Sequence, residues 1–151
     1  MSNDDIIDTL NDLIETSKDG EYGFRASAEY LTRPEIRQAF ERRAEECRLA
    51  AGELQGLVVS LGGKAEDSGT AVGAMHRGWV AVKGTLAGYT DKAILEETER
   101  GEDSALAAYR KALEEALPAD VRMVVERQYE GVKRNHQQVR QLRDEARAAA
   151  A

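Results

Sequence analysis

Four long stretches of helical periodicity are separated by breaks of very unequal length, and this constrains the fold more than any other feature of the sequence. Thr32-Arg33-Pro34-Glu35 divides the first stretch from the second, and Leu117-Pro118 divides the third from the fourth. Breaks this short join antiparallel neighbours through tight turns. The second and third stretches are instead separated by about 28 residues, enough to run the length of a bundle. Each long stretch holds about 27–30 residues, which is about 40–45 Å of helix. The architecture predicted is all-α: an up-down-down-up four-helix bundle with a helical crossover between helices two and three.

The first helix is expected from about Asn3 to Tyr30, with Asp4 and Asp5 at the positive end of its dipole. Thr32, Pro34 and Glu35 read as a capping box opening the second, which runs to Leu61 and stops at the glycine cap Gly62-Gly63. Residues 62–69, GGKAEDSG, read as a loop. A shorter amphipathic helix is expected from Thr70 to Leu86, anchored on the outside of the bundle by Trp79. Thr90-Asp91 can cap the third long helix, which runs to Leu117; Pro118 starts the fourth, which runs to about Arg147 before a frayed alanine tail.

Composition fits one folded domain over residues 1–151, with 42% hydrophobic and 32% charged residues. A net charge of −7 with acids and bases interspersed leaves no basic patch for nucleic acid. Cys47 is the only cysteine, so neither an internal disulfide nor a cysteine zinc cluster can form. The acidic start MSNDDIIDTL does not read as a signal peptide and no apolar run would span a membrane, so a cytoplasmic protein is expected.

The apolar stripes at 3.6 spacing are broken by polar residues near their middles. Ser17 and Glu21 interrupt the first, Glu102 the third, and Gln128 and His136 the fourth. In an antiparallel bundle these share a level. Gly20, Gly23, Gly52, Gly101 and Gly131 lie nearby, and a mid-helix glycine costs about 1 kcal/mol relative to alanine. Such glycines relieve crowding or admit something between helices. Within ERGED (99–103), Glu102 is expected to point inward, while Glu99, Arg100 and Asp103 face solvent or flank the stripe. A buried carboxylate needs a partner. One reading is a polar cluster of Glu102 with His136, Gln128, Tyr109 or an arginine; the other is a carboxylate–histidine metal site. Cys47, on an apolar stripe, reads as a core thiol, and Glu96, Glu97 and Glu99 as a solvated face. His76, beside Arg77 and Trp79, reads as pinning the crossover to the bundle or as an anion contact.

LNDLIETSKDGEYGF (10–24), HRGW (76–79), ILEETERGEDSALAAY (94–109) and QYEGVKRNHQQVRQLRD (128–144) carry a family resemblance. The chain resembles the ferritin-like superfamily of rubrerythrin and bacterioferritin, and within it a bacterial four-helix-bundle family of unknown function. Di-iron members take a glutamate from each of two helices and a Glu-x-x-His from each of the other two. The resemblance implies Glu102, His136, Glu46 and Glu21 as remaining metal ligands, with Glu21 one turn late. Lys133 and Leu49 stand where a glutamate and a histidine would be needed. The resemblance implies a degenerate site in a stress-associated structural or interaction protein, with no catalytic residues and no cofactor. The alternative is a metal-binding or redox protein, for which iron or manganese would suit the ligands, with zinc a further candidate. A homodimer is expected through Met75, Trp79 and Val80 with Leu57 and Val59.

Overall fold

A computed structural model describes residues 1–66 and 90–150. The described residues form helices α1 (Asn3–Ala28), α2 (Pro34–Ser60), α3 (Asp91–Leu113) and α4 (Ala119–Ala150), with no strand among them. The predicted crossover helix, with His76 and Trp79, lies outside the described residues.

Local chemistry fixes the ends. Ser2 and Asp5 form a capping box at the start of α1. Thr90 caps α3, its hydroxyl accepting from the Ala93 N–H at 3.1 Å. At the end of α2 the Gly63 N–H reaches the Val58 carbonyl and the Gly62 N–H reaches that of Val59, both at 3.0 Å. These are the paired bonds of a Schellman motif, and Gly62 takes the left-handed conformation it requires, with φ 82°. Gly63 packs closely for a separate reason: a Cβ there would sit 2.6 Å from Ile7 Cδ1, so the Ile7 side chain would have to shift.

The expected capping box at Thr32 is not formed. Arg33 occupies the N-cap of α2 without a side-chain bond. Thr32 is drawn away by Asp91, whose Oδ1 accepts from the Thr32 N–H and Oδ2 from the Thr32 hydroxyl, both at 2.9 Å. The third helix stops at Leu113, not Leu117, and the fourth continues through the alanines to Ala150.

Contacts between helices give the topology. Asp91, at the start of α3, meets the α1–α2 turn, so α3 runs antiparallel to α1. Arg147, late in α4, pairs with Glu96, early in α3, at 2.7 Å. Gln128, early in α4, reaches Ala50 and Glu53, late in α2. All neighbours are therefore antiparallel, and the order is up-down-down-up.

The core is divided in two. One cluster gathers Phe24, Ile36, Phe40, Ile94, Leu95 and Val139 at one end of the bundle. The other gathers Leu10, Leu13, Leu54, Tyr109, Val121 and Val125 at the opposite end. Between them lies a layer of buried polar side chains.

Candidate functional site

Glu102 is the centre of this layer, with 1% of its surface exposed. The third helix points it inward because Leu95, Thr98, Leu106 and Tyr109 all bury on the same face. The Asn135 side-chain amide donates to Glu102 Oε1. Arg43 Nε lies 3.7 Å from the same oxygen, an ion pair too long to be a hydrogen bond. Glu102 Oε2 and Arg43 Nε have no hydrogen-bond partner. Burial pushes the Glu102 pKa up, and Arg43 and Asn135 only partly draw it back. Burial also works against the charge on Arg43, but Cys47, Glu102 and Glu46 more than offset it and raise its pKa. The Arg43 guanidinium lies 5.9 Å from the centre of the Phe24 ring.

A second polar chain crosses the layer. The Tyr109 hydroxyl donates to Gln128 Oε1 at 2.7 Å and lies 3.4 Å from Ser17 Oγ. Gln128 Nε2 donates to the Ala50 carbonyl at 3.2 Å and to Glu53 Oε1 at 2.8 Å. Arg127 pairs with Glu53 at the rim. Tyr109 and Cys47 are both desolvated, which pushes each pKa up to about 12.

The four residues expected as metal ligands do not meet. Glu102 is buried as expected, but His136 turns to Asp103, with Nε2 2.7 Å from Oδ1. Its neighbour Asn135 takes the inward position, three residues after Val132 and four before Val139. Glu46 is exposed, and part-buried Glu21 pairs with Arg25 at 3.1 Å. The α1 stripe passes through Gly20 at this level, so Glu21 falls beside it. Lys133 is outside the layer, paired with Glu130 and 4.7 Å from the Tyr129 ring centre. Among the described residues no three of His, Cys, Asp and Glu are placed to hold a metal ion. Glu96 and Glu99 are not a bare solvated face: they tie α3 to Arg147 and Arg143 of α4.

A cavity of about 580 Å³ opens beside the layer, touching all four helices. Arg43, Glu102, Tyr109 and Gln128 line it, with Gly20, Gly101 and Gly131. Three of the five mid-helix glycines therefore border a space. Gly52 is on the surface, where a Cβ would meet nothing within 4 Å.

The four helices in this order have the fold of a ferritin-like four-helix bundle. Similar structures are a Dps1 variant from Mycobacterium smegmatis, at TM-score 0.77 and 16% identity over 95% of this chain and 99% of that one. Another is a dodecameric thioferritin, the bacterioferritin-related protein of Bacteroides fragilis, at TM-score 0.79 and 16% identity over 99% of this chain and 91% of that one. Residues 5–115 match the family described as domain of unknown function DUF2383, and the chain belongs to that family. No curated protein matches the sequence.

A di-metal centre of the ferritin-like kind does not fit these residues. Its carboxylates would need a cation between them. Here the place beside Glu102 holds a buried guanidinium, which would repel a metal ion, and an amide that donates where a ligand must accept.

Proposed function

We propose that this protein is a non-catalytic ferritin-like bundle that acts through protein contacts, including contacts with a second copy of itself. The observation that carries this is Arg43 beside Glu102: the cation of the polar layer is part of the chain. A built-in cation leaves the layer with a structural task, holding α2, α3 and α4 in register without a metal. We propose a cytoplasmic location and, from the ferritin-like resemblance alone, an association with stress. Self-association draws support from exposed Leu49, Val59 and Met123, which are 58–66% accessible.

The unpartnered Oε2 of Glu102 favours a second reading, metal binding by Glu102 with His136, Glu46 and Glu21. Metal analysis of protein purified without chelator decides between them. The first reading expects iron, manganese and zinc far below stoichiometry and no change in melting temperature when they are added. Stoichiometric metal that is lost in Glu102→Ala and in His136→Ala would establish the second.

A further inference from the structure

We infer that the outer face of α2 docks against the same face of a second copy, with the two helices antiparallel and crossing at the level of Leu54. The inference rests on the self-association proposed above and names its surface. In a chain with 32% charged residues, LAAGELQGLVVSLGG (49–63) holds a single one, Glu53. Glu53 is already engaged within the bundle, accepting from Gln128 Nε2 at 2.8 Å and pairing with Arg127.

Leu49, Gly52, Gly56 and Val59 follow one another at intervals of three, four and three residues, which sets them in one stripe along the helix. All four are exposed, while Cys47, Ala51, Leu54 and Val58 bury on the opposite side. Leu49 and Val59, at the two ends of the stripe, are large apolar side chains 58% and 64% accessible. At Gly52 and Gly56 a Cβ would meet nothing within 4 Å among the described residues. Glycine weakens a helix interior, and no contact described within the chain asks for it here. Two glycines one turn apart do let another backbone come close.

Symmetry identifies that backbone. Positions 49 and 59 lie five residues either side of 54, and positions 52 and 56 lie two either side. A two-fold axis at the level of Leu54, perpendicular to α2, sets Leu49 of each copy beside Val59 of the other and Gly52 opposite Gly56. This is the self-complementarity that an isologous contact requires. Charge favours the same place. Two copies of net charge −7 repel, and an uncharged stripe lets them approach without opposing like charges.

Two measurements on the whole chain test the inference. Sedimentation compares wild type with the double variant Gly52→Gln/Gly56→Gln, which favours helix but fills the space between the copies. The dissociation constant of the dimer should rise by about tenfold or more, with helicity by circular dichroism undiminished. Oxidative cross-linking, in a Cys47→Ala background, uses Leu49→Cys and Val59→Cys as separate proteins. Alone, either variant sets its two thiols ten residues apart along the antiparallel pair, about 15 Å, too far for a disulfide. Mixed, the two should cross-link to each other. A wild type that stays monomeric would remove self-association and this contact together. A dimer that ignores the glycine changes and gives no mixed cross-link would leave self-association standing and overturn the α2 contact. Cross-linking of either variant alone would overturn the antiparallel arrangement. Lost helicity in the glycine variant with no mixed cross-link would mean that residues 67–89 cover this face, and would overturn the inference as well.

Discussion

Arg43 and Glu102 form a pair whose members depend on each other. Removing one partner of a buried pair leaves an uncompensated charge, so Glu102→Ala is expected to cost about 3–5 kcal/mol in urea unfolding. Arg43→Met alone should cost a similar amount, and the double variant much less than the sum, as a double-mutant cycle would show. Cys47 and Tyr109 set the alkaline limit. Their pKa values rise on folding from 9.0 and 10.0 to about 12. The folded state therefore holds these protons more tightly than the unfolded chain does. The stability they contribute is complete below pH 9 and is lost as pH rises towards 12. Each group removes about 1.4 kcal/mol per pH unit within its window. Melting temperature should fall steeply above pH 9, and Cys47→Ala should delay the onset by about one unit. Much of this layer is legible in the sequence. An acid at a stripe position between Thr98 and Tyr109 has to face inward, and it does. What periodicity does not resolve is a one-residue choice. A spacing of 3.6 allows either Asn135 or His136 after Val132, and either Gly20 or Glu21 after Ser17. Packing resolves both, in favour of the residue a metal site does not use. Arg43 is hard to see because an arginine beside Ala44 reads as solvated, although it lies three residues after Phe40 and four before Cys47.

At the scale of elements, the least expected joint is the one between Asp91 and the α1–α2 turn. Its carboxylate accepts two backbone N–H groups and a hydroxyl, from Thr32 and Arg33. Thr32 reads as a helix cap because its position before Pro34 and Glu35 is right for one; a long-range acceptor outcompetes the local role. Asp91→Ala should cost about 1–3 kcal/mol, since bonds to a charged group are the stronger kind. Asp91→Asn should recover part of it, and thermal melts of the three proteins would check the order. Thr90→Ala removes only the local cap of α3 and should cost about 1 kcal/mol. Helix order is legible because two connections are tight and one is long. Helix ends are less so: the third helix ends at Leu113, with Glu114 still bonded back to Arg110, and periodicity does not separate these residues from their neighbours.

For the molecule as a whole, apolar side chains remain on the outside. Val59 and Met123 are 64% and 66% accessible and lie on α2 and α4. Sedimentation at micromolar concentration is expected to show a homodimer, burying at least about 1,000 Å² in total. Val59→Glu and Met123→Glu together should shift it towards monomer without lowering the monomer's helicity; a wild type that stays monomeric would remove the basis for the dimer. The split core has a separate consequence, for cooperativity. The clusters around Phe40 and Leu54 share helices but are divided by the polar layer, so each end of the bundle has its own set of apolar contacts. Opening of one end need not open the other. Amide hydrogen exchange should divide into two groups along every helix, one on each side of Glu102. Phe40→Ala should speed exchange at its own end by a larger factor than at the end where Leu10 and Leu54 pack.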